Sequence, residues 1–154
     1  MSKDVALSQP NTLKSYIFVG IQFLCLVLIA LTGPLFPGNI SLLTVELLGL
    51  VIGVSAVLAM GLGKFNITPD PLSMSRLVTR GPYRLIRHPM YLALLLVTSP
   101  LVAADFSWFR LVIWLILLID LLLKLNYEEG LLTTQLTGYA EYKQNSYRLI
   151  PFIF

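Results

Sequence analysis

Charged side chains are scarce in this chain. Asp, Glu, Lys and Arg make up 12% of its 154 residues, whereas soluble domains contain about a quarter. Hydrophobic residues make up 56%, and the mean hydropathy is +0.80. This balance excludes an ordinary soluble surface and favours a protein that meets the apolar core of a bilayer. The length is that of one domain.

Cysteine is nearly absent as well. Cys25 is the only one, and it lies inside an apolar run. One thiol forms no internal disulfide, which excludes a fold held together by disulfides. The hydrophobic pattern is therefore the main source of information about the fold.

Four apolar stretches are each close to the ~20 residues that cross a bilayer as a helix. They are Tyr16–Thr32, Ile40–Gly63, Pro89–Ala104 and Phe109–Leu125. The first could instead be a signal peptide, but it is longer than a typical signal-peptide core and no cleavage site follows it. We predict an all-α integral membrane protein with four transmembrane helices.

The distribution of Lys and Arg predicts the orientation. Five basic residues lie in the central loop, Lys64–His88, and others lie near both ends of the chain, whereas the turn Gly33–Asn39 has none. Basic residues concentrate on the cytosolic side of membrane proteins. We therefore expect a multi-pass protein with both termini and the central loop in the cytosol.

A first polar cluster lies where the central loop enters the third stretch. Arg84, Arg87, His88 and Tyr91 are spaced i, i+3, i+4 and i+7, which would put them on one face if the helix extended back that far. The alternative is an anchor of basic residues with an interfacial tyrosine. That alternative explains the arginines but not the His88-Pro89 pair.

A second cluster lies on the fourth stretch. Asp120, Lys124 and Glu128 follow each other at intervals of four residues and form one polar stripe that leads to Glu129. Ionisable groups inside a membrane cost several kcal/mol and usually face the bundle interior or a wet cavity. Glu128, Lys124 and Asp120 are thus our candidate catalytic residues. The alternative is that Asp120 and Lys124 pair with each other and only fix the rotation of the helix. Glu46 is a further intramembrane acid.

The C-terminal tail is polar and aromatic. Tyr139, Tyr142 and Tyr147 are followed by Arg148. An interfacial amphipathic segment would have this composition, so the tail alone does not indicate a site.

Taken together, four motifs resemble the isoprenylcysteine carboxyl methyltransferase family, in the same order. They are GPYRLIRHPMYL (81–92), EEGLL (128–132), GYAEY (138–142) and YRLIP (147–151). Phospholipid methyltransferases share the Arg-His-Pro-x-Tyr and Glu-Glu pattern, and bacterial relatives often carry a loop like NITPDP (66–71). The resemblance covers about 90 residues, and we expect a bacterial inner-membrane location.

The resemblance implies a cytosol-facing pocket for S-adenosylmethionine, formed by the central loop and the C-terminal tail. The implied cofactor-binding residues are Arg87, His88, Pro89, Tyr91, Glu128, Glu129, Tyr142 and Arg148, to which Tyr83 is added as a possible stacking partner. A carboxylate suits the cofactor's ammonium or ribose diol, basic groups suit its carboxylate, and a tyrosine suits its sulfonium. We expect no metal.

This reading makes the chain one membrane domain, 1–154, with a helical hairpin at 1–63 and a methyltransferase core at 64–154. The expected partners are a lipophilic substrate and membrane lipids, without nucleic acid, and the oligomeric state is open. Family members often have arginines just before the acidic pair, where this chain has Asn126 and Tyr127. The acceptor therefore stays open among a prenylcysteine-like carboxylate, a phospholipid amine, and a small thiol or quinone-like lipid. A membrane reductase with a nicotinamide cofactor and a non-catalytic helical subunit are the rival functions.

Overall fold

The computed structural model describes residues 11–61 and 77–153, and these form five α-helices and no strand. The helices are α1 (Thr12–Leu31), α2 (Ile40–Met60), α3 (Pro89–Ala104), α4 (Trp108–Gln135) and α5 (Tyr139–Gln144), with a 3₁₀ turn at Gly81–Arg84. The prediction of an all-α protein is confirmed for the described residues. The NITPDP motif and the basic residues Lys64 and Arg76 lie outside them.

Local sequence signals set the helix starts. The side chains of Asn11, Asn39 and Ser107 each accept a backbone hydrogen bond from the first turn of α1, α2 and α4 respectively. Such caps satisfy backbone N–H groups that have no partner inside the helix. Pro89 occupies the first position of α3, where a missing N–H costs nothing.

Within the described residues, α1 and α2 are long and apolar enough to cross a membrane. Few of their side chains are buried, and most of the exposed ones are apolar, as a lipid-facing surface requires. Helix α3 is apolar but has only 16 residues. The structure thus supports a helical membrane protein.

The helices pack as two pairs. Helix α2 lies along α3, and α1 lies along α4, whereas α1 and α2 have at most marginal contact along their lengths. A Cβ atom on Gly49 would lie 2.8 Å from the Leu96 Cβ and 3.0 Å from the Ala93 carbonyl oxygen. This glycine therefore allows the close approach of α2 and α3 that small residues give membrane helices. A cavity lies between the two pairs.

The tail is held against the segment that precedes α3. Arg87 N–H donates to the Tyr147 carbonyl at 2.8 Å, and Tyr147 N–H donates to the Leu85 carbonyl at 2.9 Å. His88 N–H donates to the Arg148 carbonyl at 3.1 Å. These bonds place the tail beside Arg87 and His88.

One sequence expectation is corrected here. Helix α3 begins at Pro89 and does not extend back through the basic run, so Arg84 and Arg87 do not share a helical face with Tyr91. The residue before a proline is biased away from the helical conformation, and the backbone of His88 is not helical. Arg87, His88 and Tyr91 still converge, but through the paired tail and α4.

Candidate functional site

Glu129 is a buried junction between α4, the pre-α3 segment and the tail. Its side chain is 2% exposed. Arg87 Nε lies 2.6 Å from Oε1, and the Arg148 guanidinium lies 2.9 Å from Oε2. Lys143 Nζ lies 3.5 Å from Oε2, and His88 Nε2 lies 3.5 Å from Oε1. Both carboxylate oxygens are thus engaged by the protein itself.

The charge of Glu129 is stabilised by these contacts. Burial acts against the carboxylate, but the nearby His88 imidazole and the hydrogen bonds from Arg148 and Arg87 outweigh it and hold the pKa of Glu129 far below its ordinary value. Arg87 also donates to the Lys143 carbonyl at 3.0 Å and to the Ser146 carbonyl. Glu129 and Arg87 therefore fasten the tail to the helices.

Glu128 directly precedes Glu129 on α4, and its side chain points into the cavity. Successive residues of a helix are about 100° apart around its axis, so the two acids have different surroundings. The Glu128 side chain is 26% exposed, and its Oε2 accepts a 2.7 Å hydrogen bond from the Tyr91 hydroxyl. Burial opposes the charge, but the nearby His88 imidazole and the hydrogen bond from Tyr91 keep the pKa of Glu128 lowered.

His88 lies between the two carboxylates. Its Nδ1 is 3.6 Å from Glu128 Oε2, and its ring stacks on Tyr91 with the centroids 5.3 Å apart. Burial disfavours the imidazolium, but the hydrogen bonds and charges of Glu128 and Glu129 outweigh that effect and raise the pKa of His88. A histidine placed in this way fixes the orientation of both acids.

The cavity has a volume of about 690 Å³, and one of its ends is polar. Its polar lining residues are Gln22, Tyr83, Arg87, His88, Tyr91, Lys124 and Glu128. The rest of the lining is apolar apart from glycines and comes from α1, from α2 between Gly49 and Met60, and from α3. A pocket of this size, mostly apolar with convergent polar groups, is typical of a small-molecule site.

Lys124 lines the cavity together with a residue that the sequence analysis missed. The Lys124 side chain is 2% exposed, and its Nζ donates to Gln22 Oε1 at 2.8 Å. Nζ also lies 5.3 Å from the centroid of the Tyr91 ring. The available signal for Gln22 was a single amide side chain within the uncharged run of the first apolar stretch.

The remaining predicted residues lie around the cavity rather than in it. The Tyr142 hydroxyl donates to the Tyr83 carbonyl at 2.6 Å and so holds α5 against the 3₁₀ turn. Asp120 and Glu46 are buried but do not line the cavity, and neither Asp120 oxygen has a hydrogen-bond partner among the described residues. The roles of these residues stay predictions.

Metal ligands do not cluster in the described part of the chain. No group of three His, Cys, Asp or Glu residues there could hold an ion. The site's polar groups instead form a carboxylate–imidazole–phenol set, which suits an organic ligand with a cationic group.

Comparison of the sequence with known proteins identifies its family. No curated protein matches the chain. The family model for phospholipid methyltransferases matches residues 40–138, which include α2, α3, α4 and both motifs that surround the cavity's polar end. This match confirms the resemblance noted in the sequence, because isoprenylcysteine carboxyl methyltransferase-like enzymes fall within that family. The chain belongs to the phospholipid methyltransferase family of membrane methyltransferases.

Proposed function

We propose that this protein transfers a methyl group from S-adenosylmethionine to a lipophilic acceptor at the cytosolic membrane face. The observation that carries the proposal is the position of Glu128, at the polar end of a cavity that is otherwise apolar. The stacked rings of Tyr91 and His88 both lie at the Oε2 oxygen of Glu128, to which the Tyr91 hydroxyl donates. The family match supports methyl transfer as the reaction.

The residues at the polar end fit the proposed cofactor. Glu128 would bind its ammonium or ribose diol, since a carboxylate in a dry site makes strong charge-assisted hydrogen bonds. Tyr83 lines the cavity and offers an aromatic ring to the adenine or the sulfonium, whereas the Tyr91 ring is already stacked on His88 and lies under the Lys124 ammonium. The first turn of α3 lines the cavity, and the positive end of the helix dipole there favours an anion. S-adenosylmethionine would supply an electrophilic methyl group, and the protein's task is to position both reactants and exclude water.

The apolar part of the cavity supports a lipophilic acceptor. Its lining on α2 extends from Gly49 to Met60, which corresponds to about 16 Å of helix. Phe23 on α1 and Val54 on α2 line the cavity and are still about half exposed. Because α1 and α2 barely touch, this side is open toward the surrounding lipid, and an acyl or isoprenoid chain could enter there.

The proposed membrane arrangement has four spans. Helices α3 and α4 would complete the pair of long apolar helices, with the cavity's polar end and both termini in the cytosol. Glu128 follows the apolar part of α4, and His88 precedes α3, so both would lie at the same membrane surface. Their separation of 3.6 Å supports this placement.

A thermal-shift titration of the purified protein in detergent tests the function. We expect S-adenosylhomocysteine to raise the melting temperature in a concentration-dependent way, because a ligand stabilises the state to which it binds. NADPH should have no effect. Stabilisation by NADPH alone would instead indicate the reductase, and no response to either ligand would support the non-catalytic subunit.

A pair of variants links that titration to the site. Glu128→Gln should lose the response to S-adenosylhomocysteine, whereas Glu141→Gln should keep it, because Glu141 is exposed on α5 and does not line the cavity. An unchanged response in Glu128→Gln would refute the assignment of the cofactor site.

A further inference from the structure

A buried lysine and a neutral glutamine form a hydrogen-bonded pair where the polar and apolar parts of the cavity meet. Lys124 on α4 and Gln22 on α1 are 2% and 8% exposed, and both line the cavity. Their neighbours in the lining include Phe23, Leu26 and Leu94. A polar group in such surroundings is costly unless it is partnered, and the 2.8 Å hydrogen bond to Gln22 fixes the position of the ammonium nitrogen.

The position of Lys124 along α4 separates it from the cofactor end. It lies one helical turn before Glu128, which places it about 6 Å deeper along the helix axis. Its Nζ is also 5.3 Å from the Tyr91 ring, whose hydroxyl binds Glu128. The ammonium therefore lies between the groups that would hold the methyl donor and the apolar channel that would hold the acceptor's chain.

We propose that Lys124, positioned by Gln22, forms the subsite for the acceptor's head group and selects an anionic nucleophile over an amine. This inference rests on the proposed methyl transfer. Glu128 and Asp120, one turn to either side on α4, also attract this ammonium, but Glu128 binds the cofactor's cation in the proposed function and Asp120 does not line the cavity. Toward the acceptor, the fixed ammonium therefore attracts an anion and repels a protonated amine, and the effect is larger in a poorly hydrated cavity than in water.

The chemistry of an anionic acceptor agrees with this electrostatic selection. An oxyanion or thiolate attacks the methyl carbon, a bond from that carbon to the acceptor atom forms, and the carbon–sulfur bond breaks with its electron pair going to sulfur. The sulfonium charge and the acceptor's charge cancel, so no proton has to be removed. An amine lipid, which is protonated at neutral pH, would first have to give up a proton beside a positive charge.

Gln22 comes from a part of the chain that the family model does not cover. It lies on α1, outside the residues 40–138 that match the family, and it bonds Lys124 across 102 positions of sequence. Its carbonyl oxygen accepts a hydrogen bond from the ammonium without neutralising it. Gln22 is therefore a positioning residue, and its replacement by Glu would cancel the charge of the subsite.

Two matched amphiphiles test the selection. Oleate and oleylamine have the same chain and opposite head-group charge, and their affinities are measured in detergent at pH 7.5 with S-adenosylhomocysteine bound. We expect the wild-type protein to bind oleate at least about tenfold more tightly. Lys124→Arg should keep that preference, Lys124→Met should abolish it, and Gln22→Glu should abolish or reverse it. Lys14→Met controls for net charge, because Lys14 is exposed at the start of α1.

The outcomes separate this inference from the proposed function. If S-adenosylhomocysteine binds but the wild-type protein does not prefer oleate, or the preference survives both Lys124→Met and Gln22→Glu, the head-group subsite is refuted and the methyltransferase proposal stands. If S-adenosylhomocysteine does not bind to the wild-type protein, the proposed function fails. If Lys124→Met does not fold, the oleate preference of Gln22→Glu decides whether the subsite exists. In that variant, retained binding of S-adenosylhomocysteine shows that the cofactor site is intact.

Discussion

At the scale of single residues, the two adjacent acids have separate tasks. Glu129 is surrounded by basic groups, and both of its oxygens are engaged. Glu128 accepts a hydrogen bond from the neutral Tyr91 hydroxyl and lies 3.6 Å from His88, and its side chain faces the cavity. We therefore assign ligand binding to Glu128 and structural fastening to Glu129.

This division predicts opposite phenotypes for two conservative variants. Glu128→Gln should weaken binding of S-adenosylhomocysteine by about 30-fold or more and leave the melting temperature of the ligand-free protein nearly unchanged. Glu129→Gln should lower the unfolding free energy by about 3 kcal/mol, because it leaves the buried Arg87 without its counter-charge. Calorimetry on both variants checks this, and equal effects on stability would contradict the assignment.

The same cluster predicts how stability depends on pH. The pKa of Glu129 is lowered in the folded protein, so its contribution is present above the ordinary value of 4.5 and is lost as the pH falls below it. The pKa of His88 is raised, so its contribution is complete below the ordinary value of 6.5 and is lost as the pH rises through the higher folded value. Melting temperatures should therefore decline on both sides.

Variants identify the two declines. His88→Gln should flatten the alkaline decline and leave the acidic one, and Glu129→Gln should flatten the acidic one. The measurement is a series of melting curves from acidic to alkaline pH in one detergent. An alkaline decline of the same size in His88→Gln would show that another group causes it.

At the scale of elements, an arginine fastens the helix ends opposite the site. Arg110, near the start of α4, is 1% exposed and bonds to Asp105, with its guanidinium 3.5 Å from the Ile29 carbonyl of α1. A Cβ on Gly33 would overlap that guanidinium. The turn after α1 therefore needs glycine at this position because of a contact, not because of its backbone angles.

A pair of glycine variants tests this contact. Gly33→Ala should lower the unfolding free energy by about 2 kcal/mol, because the side chain of Arg110 has to move out of its bonded position. Gly38→Ala, in the same turn but with open space around the added carbon, should change it by less than about 0.5 kcal/mol. Denaturation in mixed micelles compares them, and similar losses in the two variants would refute the contact.

At the scale of the whole molecule, a cavity lies between the two helix pairs because α1 and α2 do not pack against each other. The tail is bonded beside Arg87 and His88 at the polar end, and the apolar part is exposed to the surroundings. In the proposed function, a water-soluble donor would enter the polar end from the cytosol, and a lipid acceptor would enter the apolar part from the bilayer. The separation of the two entrances depends on the four-span arrangement proposed above.

Cysteine accessibility tests that arrangement. In a Cys25→Ala background, single cysteines at Gly38 and at the exposed Phe106 should react with a membrane-impermeant maleimide from one side of sealed vesicles. Cysteines at Glu141 and Asn145, on and just after α5, should react only from the other side. Labelling of Gly38→Cys and Glu141→Cys from the same side would exclude four spans with a cytosolic pocket.

Much of the fold follows from local sequence. The apolar runs predict the helices of the two pairs, Pro89 predicts where α3 begins, and the stripe on α4 predicts that Lys124 and Glu128 point inward. These signals are reliable because capping, helix period and hydrophobicity act over a few residues. The helical reading of Arg84 to His88 failed because the tail, about 60 positions away, competes for that backbone.

The sequence by itself determined that the chain is helical and apolar and belongs to a methyltransferase family. It also determined that Lys124, Glu128 and Glu129 follow one another near the C-terminal end of α4. Only the tertiary structure decided that Glu129 fastens the tail, that Glu128 faces the cavity, and that Gln22 holds Lys124. The physical reason is distance along the chain. These choices depend on contacts 42 and 102 positions apart, which form only once the helices have packed.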